Sequence, residues 1–487
     1  MRKPIFWLIL ILALAAVLRF YRLSDYIQFL GDEGRDALVV KAMIVDHKFT
    51  LLGPTASVGG FYTGPIYYYF MLPFLWFSNL DPVGPAAMAA LFGLATIVLI
   101  YLVGRDLISP KAGLIAAVLA TFSPQMIHIS RFSWNPNPIP FFVLAVIYCL
   151  YLAKIKRRVG FTLLAGVCLG VLYQLHYTDL AMIPVGGVII VWLFWGKGLL
   201  KNIVAILGGF LLGDSLFLAF ELRHGFPNTK SVLEFLTRRG GAFSGQSLNI
   251  LWMFYEPMRR TFEVVFGFSG TKLVVAYLST VAVFIVWLLA QIKNRGKEVS
   301  LKIICVWLIL GTFILGTYKA FLTDHYFSYL YPLPFLMVGA GSDLLFSHRW
   351  TRWLVPVILA VLLYFEISQA YFWKPPNQMI EQTKKIDRLV LEMAGREDFN
   401  FALITPGNSD HAYRYFLEVW GRKPVMLDNL VSDPQRKTVV SQLLVVCEQQ
   451  GCDPEKSSLW EVWGFGKARV VDSRIGPAGI NVYKLIH

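Results

Sequence analysis

Pro65-Ile66-Tyr67-Tyr68-Tyr69-Phe70-Met71-Leu72-Pro73-Phe74-Leu75-Trp76-Phe77-Ser78-Asn79-Leu80 is the stretch on which the topology turns. It is apolar and aromatic, but short and interrupted by Pro73. A helix needs about 20 mostly apolar residues to cross a bilayer. If this stretch crossed, every later connection would change sides, and Lys154, Lys156, Arg157 and Arg158 would face outward. Basic residues concentrate on the cytoplasmic side of membrane proteins. Residues 65–80 are therefore read as an interfacial or re-entrant helix in an outer loop, a setting that favours Tyr and Trp.

Outward from this stretch, apolar segments recur with short polar breaks. The chain is 56% hydrophobic and 16% charged, against about 25% charged in soluble domains. Eleven membrane helices are predicted near residues 4–22, 83–104, 110–128, 137–153, 161–178, 180–195, 201–220, 271–291, 301–320, 326–346 and 353–372. The first follows Met1-Arg2-Lys3 but lacks a small-x-small cleavage site, so it is read as a retained span and not as a signal peptide. With the N-terminus inside, the basic connections at 105–111, 154–160, 196–202, 292–300 and 347–352 are all cytoplasmic. These segments, with Arg2, Lys3 and the flanking Lys302, carry sixteen Lys or Arg against only Asp106 and Glu298, which accounts for the whole net charge of +14. The basic balance is thus a topology signal, and no nucleic-acid partner is expected.

The expected fold is a polytopic α-helical membrane domain over residues 1–373, with two long outer loops at 23–82 and 221–270. A small extracytoplasmic α/β domain follows over 374–487. Its predicted strands are Phe401–Thr405, Val425–Leu427 and Leu443–Cys447, with a helix at Ala412–Trp420. A closing hairpin spans Ala468–Ser473 and Ile480–Leu485 around Gly476-Pro477. The spacing of Cys447 and Cys452 permits a disulfide and equally two free thiols. Cys149, Cys168 and Cys305 lie in apolar spans, as small hydrophobes do.

The chemistry concentrates in Phe29-Leu30-Gly31-Asp32-Glu33-Gly34-Arg35-Asp36, just past the first span. These residues suit a capped helix, with Asp32 as N-cap and Glu33 and Asp36 favoured by the helix dipole. They equally suit a carboxylate acting as general base on a hydroxyl at the membrane surface. Glu221-Leu222-Arg223-His224, Arg238-Arg239 and Arg259-Arg260 form a second outer group. They are solvated or lipid-contacting cations on one reading, and on the other the fixed positive charge that a departing phosphate requires. His176-Tyr177-Thr178-Asp179, the His128, Arg131, Trp134, Asn135 group, and Lys319 with Asp324-His325-Tyr326 lie at outer helix ends. Their convergence from several helices favours a shared cavity over isolated helix-end hydrogen bonding. Walker A, HExxH, zinc-type cysteine and GxSxG motifs are absent, so the energy for any reaction must come from an activated substrate.

The Asp32-Glu33 loop, the aromatic Gly64-Pro65-Ile66-Tyr67-Tyr68-Tyr69 segment, the many spans and the C-terminal outer domain resemble the GT-C glycosyltransferases. Within them the chain is similar to the family 39 branch of protein O-mannosyltransferases and the lipid A aminoarabinose transferase. Ser133-Trp134-Asn135-Pro136-Asn137-Pro138, Gln174-Leu175-His176-Tyr177-Thr178 and Phe220–Asn228 resemble uncharacterised bacterial members of that group. The resemblance implies a polyprenyl-phosphate-linked sugar as donor, an extracytoplasmic glycan, lipid or protein as acceptor, inversion at the anomeric carbon, and a bacterial plasma membrane. Carried onto this chain, it makes Asp32 the general base and Glu33 its orienting partner. Arg223 and His224 would receive the phosphate, with Arg238, Arg259 and His325 in reserve. Arg35, Tyr62, Tyr67, Arg131, Asn135, His176, Tyr177, Glu221 and Tyr326 would line the substrate cavity. Two features depart from the family. Asn135 and Asn137 stand where a further acidic residue is common, and Gly60-Phe61-Tyr62-Thr63 lacks the usual basic residue. No cofactor is implied, and metal-independent activity is expected. The alternative from another class is a transporter or flippase of lipid-linked glycans, which would lack chemistry at the carboxylates and often shows duplicated halves. No duplication is evident in this sequence.

Overall fold

The computed structural model describes residues 2–56, 60–196, 198–237, 249–292, 295–318, 322–449 and 451–487. Arg238, Arg239 and Lys319, named above, lie outside the described residues. Two compact units form. The first comprises Met1–Tyr21, Phe49–Phe70 and Ala87–Pro375, and the second Arg22–Lys48, Met71–Ala86 and Pro376–His487. The C-terminal unit therefore begins near the composition change at residue 373, but it also takes in two pieces of the first predicted outer loop.

Apolar helices make up most of the first unit. By length and composition, five described helices can cross a bilayer: Val83–Ile108, Ile139–Lys156, Tyr177–Phe194, Gly270–Ile292 and Glu298–Thr317. Two bent pairs join them, Leu199–Gly213 with Ser215–His224 at 78° and Asp324–Leu330 with Pro332–Ser347 at 46°. Shorter apolar helices cover Ile5–Phe20, Pro110–Phe122, Val159–Leu175 and Leu354–Ser368. The aromatic stretch forms a helix of its own, Ile66–Phe77, with Pro73 inside it. Helix thus lies over every predicted span, but three spans read as continuous are broken, one of them 326–346, at the 46° bend before Pro332. Residues 110–128 divide at Ser123, whose side chain accepts the Met126 N–H and caps a new helix starting at Pro124. Residues 201–220 turn sharply at Asp214.

Glycine spacing sets the closest helix pair. Gly166 and Gly170 on Val159–Leu175 meet Gly209 and Gly213 on Leu199–Gly213. A Cβ at Gly166 would lie 2.2 Å from the Ile206 carbonyl oxygen, and one at Gly209 would lie 2.1 Å from that of Leu163. Only a bare backbone admits this approach, the small-xxx-small device of membrane helices. It fixes the end of Val159–Leu175, which carries Gln174, His176 and Tyr177.

In the second unit β1 (Asn400–Ile404), β2 (Gln442–Cys447), β3 (Arg469–Ile475) and β4 (Asn481–Ile486) form one sheet in the order β1-β2-β4-β3. β1 and β2 are parallel, and the other pairings antiparallel. All six residues of β2 are buried, as suits an interior strand. Helix Met379–Ala394, absent from the sequence reading, packs Ile386, Val390 and Met393 against Phe401, Leu444 and Val446. The predicted strand Val425–Leu427 is reduced to one bridge between Val425 and Asn400. Pro424 lacks an N–H for a ladder, and the Asn400 amide takes up the Val425 carbonyl at 2.9 Å. Cys447 and Cys452 form a disulfide, with Cα atoms 6.2 Å apart.

Candidate active site

Helix Gly31–Val45 carries the paired carboxylates, with Leu30 as N-cap. This corrects the expectation that Asp32 caps the helix. The capping acceptor is Glu33, at N3, because its longer side chain reaches back to the Leu30 N–H at 2.8 Å. The Gln28 amide donates to its other oxygen at 2.9 Å. Glu33 is only 3% exposed. Burial pushes its pKa up to about 7; the Leu30 N–H, its own N–H and the Gln28 amide oppose the rise, and the Asp32 charge adds to it.

Asp32 is placed differently. Its side chain is 52% exposed, and Oδ1 accepts from Arg35 Nη1 at 2.8 Å. Its other oxygen has no hydrogen-bond partner among the described residues. Arg35 also pairs with the buried Asp36 at 2.8 Å, so its guanidinium is held between two carboxylates. One carboxylate of the Asp32-Glu33 pair is thus tied into the backbone, and the other is presented to its surroundings.

The remaining predicted residues belong to the first unit, and they fall into three groups. Imidazoles and aromatics from separate connections meet in one: His325 lies 4.6 Å from Trp134, 5.0 Å from His176 and 4.6 Å from Tyr326, ring centre to ring centre. Tyr326 also lies 5.1 Å from His176. These four rings come from three separate connections and pack against one another.

A second group ties the two long loops together. The Tyr177 hydroxyl donates to the Tyr62 carbonyl, the Tyr62 N–H donates to Asn228 Oδ1 at 2.9 Å, and Asn228 Nδ2 donates to Glu221 at 3.1 Å. Glu221 also accepts from the Asn228 and Thr229 backbone and from the Thr229 hydroxyl. With both oxygens engaged, Glu221 closes the turn into helix Pro227–Thr237. Asn228 and Gln174, which donates to the Gly213 carbonyl at 2.7 Å, went unread as site residues in the sequence. They are ordinary amides with no local signature.

The third group holds the bundle. Arg131 is buried and donates to the carbonyls of Leu18 at 3.1 Å, Arg19 at 2.7 Å and Tyr21 at 2.9 Å, with Tyr371 stacked 4.0 Å beneath. A cation on the last carbonyls of a helix satisfies groups left without intrahelical partners. Asn135 likewise donates to the Leu175 carbonyl at 2.6 Å, and the Tyr67 hydroxyl bonds Ser133 at 2.8 Å. These three side chains brace helix ends.

Among the expected phosphate ligands, Arg259 is clamped along its own helix by Glu256 at 2.6 Å and Glu263 at 3.0 Å. Arg223 is exposed at the end of helix Ser215–His224 and makes no ion pair among the described residues. His224 is exposed beside it, with Nδ1 bonded to the Phe220 carbonyl at 2.9 Å. No group of three His, Cys, Asp or Glu suited to a metal ion converges among the described residues.

Comparison with known proteins finds one partial sequence match and several likenesses of fold. Residues 65–220 match the sequence model of the PMT_2 family, described as dolichyl-phosphate-mannose-protein mannosyltransferase. The fold is similar to that of ArnT from Cupriavidus metallidurans, solved with undecaprenyl phosphate, at a TM-score of 0.65 and 14% identity over 98% of each chain. It is also similar to that of the oligosaccharyltransferase AglB from Archaeoglobus fulgidus, solved with an inhibitory peptide and a dolichol-phosphate. There the TM-score is 0.55 and the identity 11%, over 99% of this chain and 74% of that one. No curated protein matches the chain in sequence. The family match covers residues 65–220, and the likeness to the solved structures is one of fold.

Proposed function

We propose that this protein transfers one sugar from a polyprenyl-phosphate-linked donor to an extracytoplasmic glycan, lipid or protein acceptor, with inversion and with Asp32 as general base. The observation that carries the reading is the division of labour in the carboxylate pair. Glu33 is buried with both oxygens bonded, while Asp32 is exposed with one oxygen unbonded. In the reaction an acceptor hydroxyl loses its proton to Asp32 as its oxygen bonds the anomeric carbon. The bond from that carbon to the phosphate oxygen breaks, and its electron pair leaves with the phosphate. A phosphate departs without a general acid where fixed positive charge receives it. Arg223 and His224 are assigned that role, with His325 in reserve.

The reading includes eleven spans, an N-terminus inside, and the C-terminal domain outside a bacterial plasma membrane. It needs no metal ion. The test is transfer of labelled sugar from a panel of synthetic polyprenyl-phosphate sugars by the purified chain, beside Asp32→Asn, with and without chelator. Release of polyprenyl phosphate with labelling of an added acceptor, lost in a folded Asp32→Asn protein, supports the transferase. Full turnover by Asp32→Asn removes Asp32 from the base role. Donor binding without turnover, with donor movement across liposomes, replaces the transferase by a flippase.

A further inference from the structure

The helix bearing Asp32 and Glu33 packs within the same compact unit as the C-terminal domain. Its first turn is joined to residues 408–412. The Gly31 N–H, one of the helix-start donors with no intrahelical acceptor, donates to Asn408 Oδ1 at 2.9 Å. The same oxygen accepts the Ser409 N–H at 2.8 Å, which fixes the amide in place. The backbones approach so closely that side chains are excluded. A Cβ at Gly31 would lie 2.0 Å from Ser409 Oγ, and one at Gly34 would lie 2.4 Å from the Ala412 nitrogen. Glycine is a poor helix residue. Two of them flanking Asp32 and Glu33 are explained by this contact.

Further contacts extend along this helix and along helix His411–Val419. Lys41 pairs with Glu418 at 3.3 Å, with both side chains 15% exposed. Phe29 packs its ring 5.7 Å from Tyr415 and 5.5 Å from Phe416. Ser409 Oγ bonds His411 Nδ1 at 2.8 Å. Burial lowers the His411 pKa, and Asp410, Arg35, Arg414 and Asp32 act on its charge.

We propose that the 408–412 segment of the C-terminal domain is a positioning element for the reaction, with Asn408 as the residue that sets the turn presenting Asp32. The inference rests on the reading of Asp32 as general base. It gives the C-terminal domain a part in the chemistry: that domain holds the catalytic turn in register. A misplacement of about 1 Å can cost on the order of 100-fold in rate.

Two readouts on the full-length protein test it. Loss of one helix-start acceptor should raise amide exchange at Gly31–Arg35 on the order of 10-fold in Asn408→Ala. Asn408→Asp keeps the acceptor oxygen and should restore protection to within about threefold. In turnover of the labelled polyprenyl-phosphate sugars, Asn408→Ala should lower kcat on the order of 100-fold and leave donor KM within about threefold. Asn408→Asp should recover most of that loss. Arg436→Ala is the control for general destabilisation. Arg436 donates to the carbonyls of Gly464 at 2.9 Å and Phe465 at 2.7 Å, away from this contact, and its loss should lower Tm while changing neither readout.

Unchanged exchange at Gly31–Arg35 in Asn408→Ala overturns the proposal, whether or not a donor turns over. An equal loss of kcat in Arg436→Ala also overturns it, because the domain then acts only through stability. An inactive Asp32→Asn beside a fully active Asn408→Ala defeats this inference alone. A fully active Asp32→Asn defeats the underlying assignment of the base.

Discussion

Glu33 Oε2 accepts the Leu30 N–H at 2.8 Å and closes the turn in front of Asp32. Burial raises the Glu33 pKa from 4.5 to about 7. Between those values the folded protein holds a proton that the unfolded chain has released. The contribution of Glu33 to stability is therefore greatest below pH 4.5, falls as pH rises to about 7, and is constant above that. The shift corresponds to a loss on the order of 3 kcal/mol across the window. Thermal unfolding of parent and Glu33→Gln protein from pH 5 to 8 isolates it. The parent should lose more Tm than the variant as pH rises, and parallel profiles would refute the raised pKa.

Asp32 carries no comparable structural duty, because its side chain is half exposed and bonded through one oxygen. Asp32→Asn should keep Tm within about 1 °C, as surface changes usually do. It should lower kcat for sugar transfer by about 100- to 10,000-fold. Loss of fold in this variant would contradict the division of labour within the pair.

Arg131 is expected to act on stability and not on donor recognition. Its guanidinium satisfies the Leu18, Arg19 and Tyr21 carbonyls. Arg131→Leu leaves those acceptors without the donor, at a cost of about 2–4 kcal/mol. The checks are apparent Tm and donor KM on the same preparation. A large rise in KM with unchanged Tm would return Arg131 to the substrate cavity.

Arg223 and Arg259 separate two kinds of cation. Arg223 is exposed and makes no ion pair among the described residues, whereas Arg259 is neutralised by Glu256 and Glu263. Arg223→Ala should lower donor turnover on the order of 100-fold, the size of a lost transition-state charge contact. Arg259→Ala should leave turnover within about threefold and cost about 1 kcal/mol of helix stability. The reverse pattern in steady-state kinetics would exchange their roles.

Apolar segment length and the change of composition near residue 373 determine the class of fold without tertiary information. They are properties of the chain against its solvent, and each is complete within a short window of sequence. The Asp32-Glu33 pair is equally legible, since two adjacent carboxylates after a first span have few local explanations. What each side chain does was decided elsewhere. Arg131 and Asn135 read as cavity residues because sequence does not reveal that helix-end carbonyls lie within their reach. Arg259 read as a free cation although Glu256 and Glu263 stand one turn to either side, a pattern that helical spacing could have exposed. Gly31 and Gly34 held the one local trace of a distant partner. Neither suits the first turn of a helix, yet nothing near them identifies Ser409 and Ala412 as the backbone they admit. The identity of the residues came from sequence, whereas their roles came from contacts spanning more than 370 positions, such as Gly31 with Asn408. A hydrogen bond is specified by distance and direction in space, which no local pattern of residues encodes.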